Sequence, residues 1–284
     1  MERNVLLRIH EMDNEFTPIE KKIAVYVSDN PDSIASLSIH ELAQKSMTSD
    51  ASVIRFCHSL GYSGYREFIV ALSLDRGEKS GVKSDQSTDI CPGDSIETIL
   101  DNTFFNSEKA LRDTRKLMNL GSINKAVDLL CKSKQIHFFG IGASGLVCLD
   151  AVQKFMRINK VCFAHTESHD QTTSAALMDK NDVGVLVTYS GRTRDIVDIY
   201  DILCNKKIPM IVITKLQKNG LISEADVVIN VSSPEITMRS GAMGSRIAML
   251  AVVDLLFSSV ASKQYNKVSK YLIETHNVIE SHKR

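Results

Sequence analysis

This sequence of 284 residues lacks the features that mark several specialised classes of protein. Its six cysteines are scattered and include no Cys-x-x-Cys pair, so neither a disulfide framework nor a zinc site of that type is expected. Neither sign of charge is in excess, because 34 Lys and Arg residues balance 34 Asp and Glu residues. This balance excludes a histone-like basic coat for nucleic acid and an acidic disordered tail.

The sequence also has little that resembles a membrane segment or a targeting signal. The first 16 residues carry charges throughout, unlike the apolar centre of a signal peptide. The most apolar late run, Ile247–Ala261, is interrupted by Asp254 and is shorter than a bilayer requires. We therefore expect a cytoplasmic protein that has no membrane partner.

The patterns that are present change along the chain and predict two domains. Residues 1–77 show helical patterns with capping boxes at Thr17 and Ser38 and no convincing strand. Residues 78–93 are polar and rich in Gly and Ser, as a linker is. Residues 94–284 begin with helical patterns and then alternate apolar β-runs with amphipathic helices. A last helix, over 240–262, is apolar on most sides. This order predicts an α/β domain with a parallel sheet, whose strands are covered by helices on both faces.

Two short helices joined by a tight turn are predicted within residues 38–60. A capping box begins the first helix at Ser38, residues 46–48 form the turn, and Ser49 caps the second helix. Helix-turn-helix geometry of this kind places the second helix in the major groove of DNA. The side chains expected to reach DNA lie on that helix and in the loop after it: Ser49, Ser52, Arg55, His58, Tyr62, Ser63 and Arg66.

The charge of this region leaves a second interpretation open. Residues 1–76 contain eight Lys and Arg residues against eleven Asp and Glu residues, which is a net charge of −3. DNA-binding modules are usually basic. The helices could therefore serve only dimer or protein contacts, unless the positive charge is arranged locally or binding relies on dimerisation.

Two loops that follow β-runs combine small residues, hydroxyls and the start of a helix. Their sequences are GIGASG at 140–145 and TYSGRT at 188–193. Backbone N–H groups at a helix N-terminus favour an anion, most simply a phosphate. The first loop matches G-x-G-x-x-G, but the acidic residue expected about twenty positions later is absent, and so is a Walker lysine. A single phosphate on a small molecule therefore fits better than NAD or ATP.

Both halves of the chain resemble one known family. The two loop units are similar to the sugar isomerase (SIS) phosphosugar-binding domain, as are ESHDQTTSA at 167–175 and PEITMRSGAMGSRIAMLAVVDLLF at 234–257. The stretch SIHELAQKSMTSDASVIRFCHSLGYSGYREF at 38–68 resembles the helix-turn-helix of RpiR-type transcriptional regulators. The resemblance implies an all-α helix-turn-helix domain, then a three-layer α/β/α SIS domain with a five-stranded parallel sheet. One departure is Met47, which stands where the family usually has Gly and where a left-handed backbone is costly.

The resemblance also implies a ligand site without a cofactor. The two loops would hold the phosphate, while His169 and Glu235 would contact sugar hydroxyls. The implied site residues are Gly142, Ala143, Ser144, His169, Ser190, Gly191, Arg192, Thr193 and Glu235. A metal at the nearby His165, Glu167, His169 and Asp170 is disfavoured, because two His four residues apart are strong evidence only on a helix.

Three functions follow from these observations. The leading hypothesis is a transcriptional regulator of a sugar or amino-sugar catabolic operon, which binds operator DNA as a homodimer or homotetramer and responds to a phosphorylated sugar. The alternative is a phosphosugar isomerase with Glu235 as general base and His169 as acid. The attached helix-turn-helix favours the regulator, because a sensor needs binding without turnover. In a third hypothesis the N-terminal domain binds another protein.

Overall fold

The computed structural model describes residues 4–34, 37–75, 93–218, 221, 223–234 and 242–281. The chain divides into two units, Met1–Ser87 with Leu216–Lys218 and Thr88–Lys215 with Asn219–Arg284. All of the predicted linker at 78–93 except Gly93 lies outside the described residues. Glu235, the predicted sugar contact and alternative general base, also lies outside them.

The described part of the first unit up to residue 75 is built from helices. A 3-10 turn at Asp13–Glu15 separates the first two, and the helices are α1 (Val5–Glu11), α2 (Pro18–Asp29), α3 (Pro31–Ile34), α4 (Ile39–Lys45), α5 (Asp50–Ser59) and α6 (Tyr65–Asp75). The predicted capping boxes at Thr17 and Ser38 are confirmed, since each hydroxyl accepts the N–H of the Glu three residues later. That Glu accepts in return from the backbone N–H of the cap residue. These reciprocal bonds fix where α2 and α4 begin.

An aromatic cluster forms the centre of this helical unit. The ring centroids of Phe16 and Phe56 are 5.3 Å apart, and Phe68 lies 6.0 Å from Phe56 and 5.8 Å from Tyr62. All four side chains are buried together with the apolar faces of α1, α2, α4, α5 and α6. The helices therefore pack around one core, which holds α4 and α5 in fixed orientation.

The second unit contains the predicted parallel sheet of five strands, in the order β2-β1-β3-β4-β5. The strands are β1 (Gln135–Phe139), β2 (Val161–Ala164), β3 (Val183–Val187), β4 (Met210–Lys215) and β5 (Val227–Val231). Every neighbouring pair is parallel, with Ile136 opposite both Cys162 and Val183. The fold-class prediction is confirmed.

Helices cover the two faces of this sheet, as the α/β/α prediction requires. Beside the strands the unit contains α7 (Ile96–Leu117), α8 (Leu120–Lys132), α9 (Ala143–Met156), α10 (Ser168–Leu177), α11 (Arg194–Lys206), α12 (Met243–Lys263) and α13 (Tyr265–Ser281). One core joins the sheet to α7, α8, α9 and α12, and a second core joins its other face to α10 and α11. The expectation that every strand is covered on both faces is wrong for β2, because Val161 and Phe163 at this sheet edge are exposed.

The C-terminal end of the chain differs from the sequence prediction in two ways. The helix predicted over 240–262 is α12, and a further helix, α13, follows it. With 21 residues, α12 is long and apolar enough to cross a membrane, so the expectation that its apolar run is too short is wrong. Its inward side chains, among them Met249, Val252 and Leu256, pack in the core of the sheet, which explains the apolar composition.

Candidate functional site

The turn between α4 and α5 has the backbone of a Schellman motif. The N–H of Thr48 donates to the carbonyl of Ala43 at 2.8 Å, and the N–H of Met47 donates to that of Gln44 at 3.1 Å. This pattern requires a left-handed residue after the helix, and Met47 supplies it with a φ of 53°. The turn thus keeps the geometry that Gly favours, at a strain of roughly 1–2 kcal/mol for a residue with a Cβ atom.

A row of hydrogen bonds orients Arg55 on α5, the predicted recognition helix. The hydroxyls of Ser49 and Ser52 are 2.9 Å apart, and Arg55 Nη2 donates to Ser52 Oγ at 3.0 Å. Ser52 is buried, so the expectation that it lies on the exposed face is wrong. Its hydroxyl can act on DNA only through Arg55, whose exposed guanidinium keeps further N–H donors for a base edge or a phosphate.

The loop after α5 presents only some of the predicted contacts to solvent. Tyr62 is 2% exposed and packs against Phe68, so its predicted availability to DNA is wrong. Ser63 is exposed, and both its N–H and its hydroxyl donate to Glu67 Oε2 at 2.7 Å. These hydrogen bonds lower the pKa of the Glu67 carboxyl. Arg66 is exposed beside them.

The predicted DNA contacts that remain exposed are Ser49, Arg55, His58, Ser63 and Arg66. Arg55 and His58 are three positions apart on α5 and therefore share a face of the helix. His58 Nε2 lies 3.1 Å from the carbonyl oxygen of Ser63, which ties the helix to the loop.

A polar contact between α4 and α5 was not predicted from the sequence. His40 Nδ1 lies 3.4 Å from Asp50 Oδ1, and His40 Nε2 lies 3.0 Å from Gln44 Nε2. His40 and Asp50 are exposed. Their spacing of ten residues carries no periodic signal, because the contact depends on the angle between the two helices.

In the second unit, the order of the strands opens a crevice between β1 and β3. From β1 the chain runs through α9 to β2 on one side, and then through α10 to β3 on the other side. The helices after β1 and β3, which are α9 and α11, consequently pack on opposite faces of the sheet. Such a reversal of strand order leaves a crevice between the loops that follow β1 and β3. This crevice lies at the carboxyl ends of the strands, where open α/β sheets bind ligands.

The first loop of this crevice is shaped by its glycines. Gly142 has a φ of 60° and occupies the N-cap of α9, where no side chain caps the helix. A Cβ atom on Gly140 would lie 2.8 Å from Cys148 Sγ and 2.9 Å from the backbone of Ser144. The loop therefore folds tightly over the first turn of α9, where the N–H of Ser144 donates to the carbonyl of Ile141 at 3.2 Å.

The second loop has the same organisation. Gly191 has a φ of 64°, and its N–H donates to Thr188 Oγ1 at 3.2 Å. The N–H of Arg192 donates to Ser190 Oγ at 3.3 Å. Thr193 is the N-cap of α11 but makes no side-chain capping hydrogen bond, so its hydroxyl is not used to begin the helix.

The two loops line a cavity of about 80 Å³. Of the predicted ligand residues, Ala143, Ser144, Ser190 and Thr193 line it. Gly142, Gly191 and Arg192 belong to the same loops without lining the cavity, and His169 is exposed near the start of α10. The structure thus brings residues of both loops to one cavity and leaves His169 outside its lining.

The cavity also has walls that the sequence prediction did not include. They are Ile141, Val187, Thr188, Tyr189, Ile196, Ala242, Ser245 and Met249. Ser245, 1% exposed, lies in the first turn of α12, so a third helix begins at this cavity. The run of small residues before the apolar helix, GAMGS at 241–245, was the available signal.

The histidines considered for a metal lie elsewhere. His165 and Asp170 line a second cavity of about 490 Å³ beside the exposed edge of the sheet. Its buried wall is His137, whose Nδ1 lies 2.7 Å from Ser174 Oγ, and burial lowers the pKa of this imidazole. Within the described residues, no three His, Cys, Asp or Glu side chains are grouped as a metal site.

Comparison with known proteins finds relatives along the whole chain. The helix-turn-helix domain of the rpiR family matches residues 3–78, and the SIS domain matches residues 129–259. An uncharacterized HTH-type transcriptional regulator of Caldanaerobacter subterraneus is 38% identical over 280 residues, which cover 99% of this chain and 98% of that protein. The HTH-type transcriptional regulator HexR of Pseudomonas aeruginosa is 31% identical, over 92% of this chain and 90% of HexR.

A solved structure is similar over nearly the whole chain. The chain is similar to the NanR protein of Vibrio vulnificus, whose structure was determined in complex with ManNAc-6P. The two share 26% sequence identity and a TM-score of 0.61 over 98% of each chain.

Proposed function

Because this chain belongs to the rpiR family of helix-turn-helix transcriptional regulators with a SIS domain, we propose that a phosphorylated sugar controls its binding to operator DNA. In this proposal the N-terminal unit binds DNA through α5 and the loop after it, and the SIS domain binds the effector. The protein acts in the cytoplasm as a homodimer or homotetramer on a sugar or amino-sugar catabolic operon. It turns over no substrate.

The observation that carries the effector proposal is the cavity between the two loops. Both α9 and α11 begin at this cavity, and Ser144, Ser190 and Thr193 add hydroxyls to its wall. Two helix N-termini with their dipoles favour an anion at this place. A cavity of about 80 Å³ suits a phosphate group, and the sugar would extend out of it. His169 and Glu235 remain the proposed contacts of the sugar hydroxyls.

An amino-sugar 6-phosphate is the proposed class of effector. The structure of NanR, which is similar over nearly the whole chain, is that of a complex with ManNAc-6P. All sugar phosphates, whether the sugar is acetylated, carries a free amino group or has neither, present the same phosphate to the loops. Selectivity among these effectors therefore depends on contacts with the groups around the sugar ring.

The proposed response needs only a difference in affinity. If the effector binds one arrangement of the protein more tightly than another, it shifts the population towards that arrangement. Operator affinity then changes by the same coupling factor with which DNA changes effector affinity. This reciprocity gives a second, independent way to measure the effect.

The test is a gel-shift titration with DNA upstream of the gene and of its neighbours, with and without a panel of sugar phosphates. We expect a discrete complex that weakens at higher salt and that one sugar phosphate dissolves or tightens. The double variant Ser190→Ala with Thr193→Ala should abolish the sugar response and keep basal DNA binding. The control, Thr103→Ala with Ser107→Ala, removes two hydroxyls from α7 that bond only to their own helix.

Two outcomes would contradict the proposal. Consumption of a sugar phosphate without any specific DNA complex would favour the isomerase hypothesis. An unchanged response in the Ser190 and Thr193 double variant would move the phosphate to another site.

A further inference from the structure

A glutamine side chain in α10 holds the backbone of the first loop. Gln171 is 0% exposed, and its Nε2 donates to the carbonyl of Gly140 at 3.0 Å. The N–H of Gly140 donates to Gln171 Oε1 at 3.1 Å. One side-chain amide thus satisfies both backbone groups of a single residue, as a neighbouring strand would.

The position of Gly140 explains why such a brace is needed. On the β2 side, the ladder of β1 ends where Ala164 faces Phe138. Gly140 lies two residues beyond that pair, so the Gln171 amide supplies its hydrogen bonds in place of a strand. Buried backbone groups without partners would cost free energy, and the loop would otherwise have to move to find them.

Gly140 in turn sets the position of the loop. Its carbonyl oxygen lies 3.1 Å from where a Cβ atom on Gly145 would be, and its own Cα faces the backbone of Ser144. The backbone that follows β1 is therefore held in place between the first turn of α9 and the Gln171 amide. A displacement of Gly140 by a few tenths of an ångström would carry Ser144 with it.

The helix that carries Gln171 is also fixed to the second loop. Ser168, the first residue of α10, donates from its hydroxyl to Asp195 Oδ1 at 2.6 Å. Asp195 lies in the first turn of α11, two residues after Thr193. One turn of α10 thus bonds to Gly140 at the start of the first loop and to the first turn of α11, and this links the two loops.

We propose that Gln171 is a positioning residue for the phosphate site, which sets the first loop without contacting the ligand itself. This inference rests on the proposed phosphosugar site. Its consequence is that phosphate affinity depends on a side chain outside the cavity, because N–H donors held in advance need no reordering when the anion binds.

Two substitutions of Gln171 separate its hydrogen bonds from its volume. Gln171→Met keeps a similar length and removes both bonds. Gln171→Glu replaces the amide with a carboxyl that, while protonated, donates to the Gly140 carbonyl and accepts from its N–H as the amide does. Burial raises the pKa of a carboxyl, and ionisation removes the donor. The controls are Gln153→Met and Gln153→Glu, made at an exposed position of α9.

The experiment titrates inorganic phosphate and ManNAc-6P into the full chain at a series of pH values, following the amide NMR signals of Gly142 and Gly191. We expect Gln171→Met to bind phosphate about tenfold more weakly than the native chain, because the variant loses both buried hydrogen bonds to Gly140. Gln171→Glu should approach native affinity at low pH and lose it as pH rises. Each affinity is taken relative to the native chain at the same pH, because phosphate itself titrates near pH 6.

Hydrogen exchange at the Gly140 amide tests the brace without any ligand, and it should be faster in folded Gln171→Met than in the native chain. Native affinity in a folded Gln171→Met chain would overturn the inference and leave the proposed function standing. A Gln171→Glu profile parallel to that of the native chain would overturn it as well. Failure of the native chain to bind phosphate or ManNAc-6P would overturn both.

Discussion

Replacing Met47 by Gly should stabilise the helix-turn-helix. Met47 holds the left-handed position of the turn with a φ of 53°, and its side chain is 82% exposed. Removing that side chain therefore loses almost no packing. The strain relieved is roughly 1–2 kcal/mol, and the additional backbone entropy of Gly in the unfolded chain costs about 0.5–1 kcal/mol. The net expectation is a gain of about 0.5–1 kcal/mol in local unfolding free energy.

Hydrogen exchange followed by mass spectrometry measures this gain where it occurs. A change of about 0.5–1 kcal/mol corresponds to roughly two- to fivefold slower exchange in peptides from α4 and α5, whose amides open through local unfolding. Peptides from the sheet of the second unit should exchange at the native rate and serve as the internal reference.

Two matched variants separate strain from side-chain chemistry. Met47→Ala keeps the Cβ atom and should leave exchange nearly unchanged, and Met47→Asn should fall between Ala and Gly because Asn tolerates the left-handed region. Asn159 occupies a left-handed position with a φ of 59° in this chain. If Met47→Ala slowed exchange as much as Met47→Gly, the strain explanation would be refuted.

Three other substitutions test separate parts of the structure. Ser52→Ala should weaken operator binding less than Arg55→Ala does, because it frees the Arg55 guanidinium without removing it. If Ser52→Ala bound the operator in gel shifts as tightly as the native chain, Ser52 would not orient Arg55. Gly140→Ala should lower the unfolding free energy by about 1–3 kcal/mol, since its Cβ atom meets backbone, and a native urea midpoint would argue against that crowding. Burial lowers the pKa of the His137 imidazole, so the unfolded chain takes up this proton at a higher pH than the folded chain does. The free energy of unfolding should therefore fall as pH drops below about 6.5. In urea titrations His137→Gln should flatten this decline, and an equally steep decline would assign it to other groups.

Local signals in the sequence predicted most of the architecture. The helix starts at Thr17 and Ser38 were predictable because a capping box is a contact between residues three apart. The strands at Val161–Ala164 and Val227–Val231 were predictable as apolar runs between turn residues, and so were the glycine loops that follow β1 and β3. Each of these features depends on neighbours in the chain.

The errors concern features that depend on distant contacts. Ser52 and Tyr62 both carry hydroxyls, and only the packing of the helices decides that both are buried. The exposure of Val161 and Phe163 follows from the place of β2 at the sheet edge, which an apolar run does not reveal. Ser245 reaches the cavity from α12, a helix that begins fifty residues after Thr193.

The reversal of strand order between β1 and β3 has an evolutionary consequence. The cavity lies where it does because the chain changes direction there. In the proposed site, much of the anion binding would come from backbone groups that every sequence with this fold possesses. An anchor of that kind is inherited with the topology and survives most substitutions around it. The residues that face the rest of a ligand are then free to diverge, so descendants of one scaffold can exchange one metabolic signal for another through a handful of surface changes.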